Sequence, residues 1–352
     1  ADFVLTDSDA SLSASMGADA KTVATTVDAS DEAVSFLDFV LRDGGGGDAA
    51  ALKVTALDVN VTGTGQASAS KVKWLLDGPD ASNVEGTYAS GKITFSGLNI
   101  EVADGSNEIY KIKGYFSDTT GLTEGQTLIL SIDGDTDVTT GDGSTTFGST
   151  TPVTNGTGAA IDVTATKLAF TTQPAGSVSG KALTTQPVVA AQDASGNTDT
   201  DFVGSVSLTE ASAGSLSGTA SLSATAGAAT FSGLTYTATA DQQDFTLSAS
   251  ATGLTGATSD KVTSDVVATK LEFVTQPAPT SFKGKEQVAL TADPSVKAVD
   301  ADGTTDTGFT KNVSLRETDG DGTAVLTVGS APAVAGVATF KGVKLTYTNS
   351  GD

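Results

Sequence analysis

Short stretches in which apolar and polar residues alternate recur along the whole chain. Examples are KVTALDVNV at 53–61, KITFSGLNI at 92–100 and FTLSASA at 245–251, and turns rich in Gly, Asp and Asn separate such stretches. Alternation with a period of two is typical of β-strands with one buried face, and closely spaced turns favour an antiparallel sandwich. The pattern therefore predicts an all-β chain.

Helical periodicity is nearly absent. Only Ser8–Ala20 and Asp28–Leu41 could hold a short helical turn, and Val34-Ser35-Phe36 favours the start of a strand instead. The single tryptophan, Trp74, lies in the alternating segment KVKWLL. A tryptophan in such a strand is most often part of a sandwich core, so we expect Trp74 to be buried.

Three motifs occur twice and define an internal repeat. ATKLAFTTQP at 165–174 returns as ATKLEFVTQP at 268–277, and DASGNTDTDFVGSVSL at 193–208 returns as DADGTTDTGFTKNVSL at 300–315. GAATFSGLTYT, which begins at Gly227, returns as GVATFKGVKLTYT from Gly336. The chain therefore contains two tandem domains, repeat A at 165–267 and repeat B at 268–352.

The remaining residues, 1–164, carry a fainter copy of the same motif. GKITFSGL at 91–98 is similar to GAATFSGL at 227–234, whereas the opening half of this region matches nothing later. We interpret 1–164 as a larger, acidic β-sandwich that is distantly immunoglobulin-like and has extra strands.

The connections between these domains are short and contain no flexible Gly/Ser tract. Thr164–Lys167 and Val267–Lys270 join strand-like segments almost directly. Linkers without flexible residues hold neighbouring domains stiffly. The sequence therefore predicts a rod of domains rather than loosely tethered beads.

Repeat B lacks a counterpart of the last two strands of repeat A. About thirty residues, including FTLSASA and KVTSDVV, follow Tyr236 in repeat A. A sandwich without these strands would expose its core and one strand edge. Either the chain continues beyond Asp352 or another subunit supplies a strand.

The motifs KLxFxTQP, DxxGN or DADG, and GxATFxGL together resemble the bacterial immunoglobulin-like repeats (Big or invasin type) of large cell-surface adhesins and filaments. The resemblance covers 165–352 and, faintly, 90–125. It implies tandem immunoglobulin-like antiparallel β-sandwiches arranged as a rod, in an exported, prokaryotic, cell-surface protein. It also implies that most domains act as spacers, and it transfers no catalytic residue.

Composition narrows the chemistry. The chain has no His and no Cys, which excludes Ser-His-Asp triads, thiol nucleophiles, disulfides, and zinc sites built from those residues. Its net charge of −23 argues against nucleic acid and anionic membranes as partners, and no apolar run approaches a membrane span. A carboxylate pair or a Ser-Lys pair remains formally available, but no such group lies among aromatic residues. We predict no enzyme.

The acidic charge is concentrated in the first domain. Residues 1–164 contain 24 acidic and eight basic side chains, a net charge of −16, whereas repeats A and B carry −5 and −2. This region is either a docking face for cations or a basic partner, or simply a strongly solvated surface.

Two acidic clusters are candidate calcium sites. Asp133, Asp135 and Asp137 alternate, with Asp142 nearby, and Asp300, Asp302 and Asp306 form the second cluster. The first departs from the helix-loop-helix calcium signature at Val138 and Ser144. The second recurs in repeat A as Asp193, Asn197 and Asp199. The alternative is that both are ordinary solvated turns, which favour Asp for backbone reasons. We predict no other cofactor.

These observations predict a non-catalytic extracellular structural or adhesive protein, part of an adhesin stalk, a filament or a surface layer. Its expected partners are other copies of itself or other surface proteins. The alternative is a binding module whose acidic first domain recognises a host protein, a glycan or a component of the secretion machinery.

Overall fold

The computed structural model describes residues 7–17, 19–45, 49–279, 287–316 and 324–347, and these residues are nearly all strand and turn. Their two helical segments are a 3₁₀ turn at Gln66–Lys71 and a single α-turn, α1, at Gly134–Asp137. The all-β prediction is confirmed. Neither helical turn lies within Ser8–Ala20 or Asp28–Leu41, where the sequence allowed one. Each is a local bend between two strands.

The chain forms two compact units. The first comprises Ala1–Lys167, Ala191–Val203 and Thr225–Ala228, and the second comprises Leu168–Ala190, Gly204–Ala224 and Ala229–Asp352. The first unit thus includes two loops that belong to repeat A in sequence.

One continuous β-structure makes up most of the first unit. Its strands are β1 Ser11–Ala14, β2 Thr22–Ala24, β3 Val34–Arg42, β4 Leu52–Thr62, β5 Val72–Gly78, β6 Ala81–Ala89, β7 Lys92–Val102, β8 Asn107–Phe116, β9 Thr127–Ile132, β10 Val138–Thr140, β11 Val153–Thr154 and β12 Ala159–Asp162. They are ordered β1-β3-β8-β5-β6-β7-β4-β9-β12-β2, with β10 on β4 and β11 on β9. The pairing of β12 with β2 is parallel, and the other pairings between these named strands are antiparallel.

The core of this unit follows the alternation in the sequence. In β9, Leu128, Leu130 and Ile132 are buried and the residues between them are more exposed. Trp74 is fully buried as expected, and its indole N–H donates a hydrogen bond to the carbonyl of Ala69 at 2.9 Å. Phe36 meets its ring edge-on, with centroids 5.0 Å apart. The indole is therefore packed, and its N–H is hydrogen-bonded, so its burial carries no penalty for an unsatisfied donor.

The later strands are shorter. In repeat A they are β13 Lys167–Thr172, β14 Ser177–Val178, β15 Lys181–Ala182, β16 Val188–Gln192, β17 Ser205–Thr209, β18 Ser215–Ser217, β19 Ser221–Ser223, β20 Ala228–Thr230, β21 Thr235–Thr237, β22 Gln243–Phe245, β23 Ser248–Ser250, β24 Ala257–Thr258 and β25 Val262–Asp265. In repeat B they are β26 Lys270–Thr275, β27 Gln287–Ala289, β28 Ser295–Val299, β29 Asn312–Ser314, β30 Ala324–Leu326, β31 Ser330–Val334, β32 Val337–Thr339 and β33 Lys344–Tyr347.

The sheets of the second unit show that repeats A and B share several strand pairings. Repeat A contributes sheets ordered β14-β25-β22, β15-β21-β18 and β19-β17-β23-β24, whereas repeat B contributes β26-β28-β32-β31-β29 and β27-β33-β30. The β15-β21-β18 sheet corresponds to β27-β33-β30, and the β17–β19 pair corresponds to β29–β31. Repeat B has no counterpart of β22 to β25 among its described residues, and the segment after Tyr347 lies outside them.

Strand register corrects one detail of the repeat alignment. Leu183 N–H donates to the carbonyl of Leu234, and Leu290 N–H donates in the same way to the carbonyl of Val343. Lys344 therefore matches Thr235, and Leu345 matches Tyr236, although the letters TYT had aligned Tyr236 with Tyr347. Backbone pairing decides the match because it identifies which residues lie opposite each other, whereas the letters TYT would displace the alignment by two residues.

Candidate functional site: two matched junctions

Two short segments of nearly identical sequence lie where residues 1–164 meet repeat A and where repeat A meets repeat B. The first junction is Asp162–Lys167, DVTATK, and the second is Asp265–Lys270, DVVATK. The hydrogen bonds around the first lie within the first unit, and those around the second lie within the second unit. In both, carboxylates bind backbone N–H groups from two sides.

A carboxylate that precedes each junction in the chain binds its valine. The N–H of Val163 donates to Glu124 Oε2 at 2.7 Å, and the N–H of Val266 donates to Asp241 Oδ1 at 2.8 Å. Hydrogen bonds to ionised acceptors are stronger than those between neutral groups. Each junction is thus fixed to the domain that ends there.

A carboxylate that follows each junction binds the alanine two residues further on. The N–H of Ala165 donates to Asp199 Oδ2, and the N–H of Ala268 donates to Asp306 Oδ2, both at 3.0 Å. The next N–H in each segment donates to a strand carbonyl, of Gln192 or of Val299, at 2.8 Å. Each junction segment is therefore hydrogen-bonded both to a carboxylate that precedes it and to a carboxylate that follows it in the chain.

The loop that supplies Asp199 or Asp306 is built by another repeated carboxylate. Asp193 Oδ1 accepts the N–H groups of Ser195 and Asn197, and Asp300 Oδ1 accepts those of Asp302 and Thr304, at 2.9–3.0 Å. Both aspartates are buried. Of the second candidate calcium cluster, Asp300 therefore shapes the loop, Asp306 binds the junction, and the side chain of Asp302 is exposed.

The same loops also contact residues that precede each junction in the chain. Asn197 Nδ2 donates to the carbonyl of Thr119 at 2.5 Å. At the second junction, the N–H and hydroxyl of Thr307 both donate to Asp241 Oδ2, at 2.9 and 2.5 Å. One carboxylate oxygen of Asp241 consequently binds the junction segment, and the other oxygen binds Thr307 of repeat B.

The pKa values of the two preceding carboxylates, Glu124 and Asp241, are shifted in opposite directions. Burial raises the pKa of Glu124, and the negative charges of Asp162, Asp201 and Asp199 add to the effect although Val163 N–H opposes it. Burial would also raise the pKa of Asp241, but hydrogen bonds from Thr307, Val266 and Gln242 outweigh it and lower that pKa. The difference follows from the number of donors that each carboxylate receives.

A glycine packs against each loop at the point where a side chain could not. Gly227 and Gly336 have φ angles of +77° and +78°. A Cβ at either position would collide with the carbonyl oxygen of Asp199 or Asp306. Their own carbonyls accept the N–H groups of Ala191 and Ala298 at 2.8 Å. The repeated GAATF and GVATF motifs thus begin with glycine for a steric reason.

The first candidate calcium cluster is internally hydrogen-bonded. Asp137 Oδ2 accepts the N–H of Asp133 at 2.9 Å and Asn60 Nδ2 at 2.7 Å, while Lys92 lies 3.6 Å from its other oxygen. Asp133 accepts the hydroxyl of Thr150, which lies 3.3 Å from Asp135 Oδ1. Asp142 is exposed.

In the described part of the chain, no group of three or more acidic side chains is arranged to hold a metal ion. Calcium at either cluster stays a prediction. Thermal unfolding with and without a chelator tests it, and an unchanged melting temperature would favour the turn interpretation.

The fold brings the carboxylates of Asp43 and Asp9 near each other, which the sequence did not predict. Asp43 is buried, and Oδ2 of Asp43 and Oδ2 of Asp9 lack a hydrogen-bond partner among the described residues. Burial and the neighbouring Asp9 raise the pKa of Asp43, against hydrogen bonds from backbone N–H groups. No motif marks this pair, because its members lie in separate segments that only the fold brings together.

The described residues contain no helix that is long and apolar enough to cross a membrane. No protein-family model and no curated protein matches the chain.

Solved structures give weak similarities. Domains 5–6 of the S-layer protein SbsC are 16% identical over 54% of this chain and 88% of theirs, with a TM-score of 0.22. The T6 backbone pilin of serotype M6 Streptococcus pyogenes is 10% identical over 97% of this chain and 66% of its own, with a TM-score of 0.20. A β-glucuronidase of Parabacteroides merdae is 8% identical over 64% of this chain, with a TM-score of 0.22. The chain spans only 22% of that enzyme's length. At such scores, these likenesses carry no argument about this chain.

Proposed function

We propose that this chain is a non-catalytic structural protein of a prokaryotic cell surface, in which successive β-domains are joined stiffly. The observation that carries the proposal is the matched pair of junctions, where one carboxylate from each side binds the backbone of the connecting segment. Two different parts of the chain contain the same arrangement of donors and acceptors. A repeated joint of this kind suits a protein whose task is to hold domains in a fixed relation.

The mechanism is mechanical. Bending a junction would break the bonds to Asp241 and Asp306, and each freed N–H and carboxylate would have to be solvated again. The absence of histidine, of cysteine and of any recognised catalytic motif in the sequence is consistent with this role. Placement in an adhesin stalk, a filament or a surface layer rests on the sequence resemblance and belongs to the proposal.

The partners proposed for this role are other copies of the chain or other surface proteins. The experiment that tests the stiff joint measures the spread of distances between spin labels on either side of the second junction. It compares the unmodified chain with variants that lack the carboxylates of Asp241 and Asp306.

A second candidate function follows from the charge of −16 on residues 1–164. Such a surface attracts a basic partner, and the attraction weakens with salt. Binding of a fluorescent oligolysine peptide, measured at rising ionic strength, tests it. Affinity that is absent at low salt, or that salt does not change, would rule out an electrostatic docking face.

A further inference from the structure

Repeat B contains an apolar groove of about 190 Å³. Six apolar side chains line it, those of Phe273, Pro277, Leu290, Leu315, Leu326 and Leu345, together with Pro279 and Arg316. Phe273 is 42% exposed, and the neighbouring Leu271 is 51% exposed. Exposed apolar surface of this kind marks an interaction site or an incomplete core.

Three of the groove positions are covered in repeat A, whereas Phe170 and Leu216, the counterparts of Phe273 and Leu326, are half-exposed there. Leu183, Leu208 and Tyr236 are buried, whereas their counterparts Leu290, Leu315 and Leu345 are half-exposed. Leu168, the counterpart of Leu271, is only 3% exposed. The two repeats therefore have equivalent apolar positions, but several of these positions are covered by other side chains in repeat A and are partly exposed in repeat B.

In repeat A, a strand segment with alternating apolar residues helps to form that cover. Phe245, Leu247 and Ala249 are all buried, and the ring of Phe245 stacks on Tyr236 with centroids 3.8 Å apart. These side chains belong to β22, β23 and the residues between them. Repeat B has no equivalent of this segment among its described residues.

The backbone of repeat B also offers an edge. In repeat A, β17 pairs with β19 on one side and with β23 on the other, with Leu208 opposite Ala249. The counterpart β29 pairs with β31 in the same register as β17 with β19. Across its other edge, no described strand is paired. That edge runs toward Leu315, which lines the groove.

We propose that the groove and this edge form an acceptor site for an extended polypeptide strand with the side-chain pattern of Asp244–Ser250. The strand pairs antiparallel with Ser314–Arg316, as β23 pairs with Ser207–Thr209, and it buries an aromatic residue beside Leu345. Strand addition of this kind combines main-chain hydrogen bonds with pockets for alternate side chains. The occupant is not a second copy of the folded chain, because the segment of this pattern in the described residues is already buried in repeat A.

The test uses a synthetic, fluorescein-labelled peptide of sequence DQQDFTLSASA, which is residues 241–251, added to the full chain. Fluorescence anisotropy should show saturable binding. A control peptide with Phe245→Asn and Leu247→Asn should bind at least about tenfold more weakly, because it would place polar amides against the apolar side chains of the groove without a charge that Arg316 could pair with. Equal binding of the two peptides, or no saturable binding, would overturn the proposal.

Variants of the full chain locate the site. Leu315→Glu and Phe273→Glu should each weaken peptide binding about tenfold or more, and two groove positions keep the test valid if one variant fails to fold. Val334→Glu is the matched control, since Val334 is an exposed apolar residue of repeat B that does not line the groove. Binding that is unchanged in both groove variants contradicts the assignment. Self-association that these variants abolish, without peptide binding, would assign the groove to a second copy and overturn the proposed occupant.

Discussion

Single carboxylates decide much of the behaviour of this chain, and their surroundings decide what each one does. Asp199, Asp241 and Asp306 accept backbone N–H groups at the junctions, whereas Asp193 and Asp300 shape the loops. The sequence named Asp300 and Asp306 as candidate calcium ligands, with a solvated turn as the alternative. Spacing alone does not show that both carboxylates accept backbone N–H groups, and calcium binding there stays a prediction.

The opposite pKa shifts of Glu124 and Asp241 lead to opposite pH dependences. The folded-state pKa of Glu124 is raised, so its contribution to stability is present below its unfolded pKa and is lost as pH rises through the folded value. The folded-state pKa of Asp241 is lowered, so its contribution is present above the unfolded pKa and is lost as pH falls through the folded value.

Urea unfolding between pH 3 and pH 7 should therefore separate two variants. Glu124→Gln keeps an acceptor for Val163 and should gain stability over the unmodified chain as pH rises, with Trp74 fluorescence as the probe of the first unit. Asp241→Asn should lose about 1–2 kcal/mol at neutral pH, and the loss should shrink in acid. Parallel pH profiles for the two variants would contradict the assignment.

At the scale of structural elements, the positions of many strands were predictable from the sequence, whereas the residues that bind the junctions were only partly predictable. Alternation in β4, β7 and β9 identifies strands because one face of each is buried, and the repeated motifs identify equivalent strands in repeats A and B. The preceding carboxylates were not predictable. Asp241 lies 25 residues before its valine and Glu124 lies 39 residues before its own, in loops of different length, so no fixed spacing marks them.

The glycine that opens each repeated β20 or β32 motif should tolerate no side chain. Gly227→Ala and Gly336→Ala should each cost at least about 2 kcal/mol, since both place a Cβ against a carbonyl oxygen at a positive φ. Gly253→Ala is the matched control, because Gly253 has a φ of +81° with nothing within 4 Å of the added Cβ. Urea unfolding followed by circular dichroism measures all three. If Gly253→Ala costs as much as the others, conformational strain and not the collision explains the loss.

At the scale of the whole molecule, two features of different kinds bear on function. Residue pairs fix each junction segment from both sides, and repeat B offers an open edge and an apolar groove for another strand. The first supports a stiff, repetitive structural protein, and the second supplies a way for such a protein to bind a further polypeptide segment. The short linkers of the sequence predicted the stiff joints, whereas the atoms that form the joints and the groove required the three-dimensional structure.

The most direct test of the central claim is the distribution of distances across the second junction. The chain has no cysteine, so spin labels can be placed at Thr246→Cys and Lys311→Cys, two exposed positions in repeats A and B. We expect a narrow distribution for the otherwise unmodified chain and a clearly broader one for a variant with Asp241→Ala and Asp306→Ala. Asp244→Ala, which removes an exposed carboxylate that pairs with Lys261 instead, should leave the distribution narrow. A broad distribution in the unmodified chain, or an equally narrow one in the double variant, would contradict the claim that these carboxylates make the junction stiff.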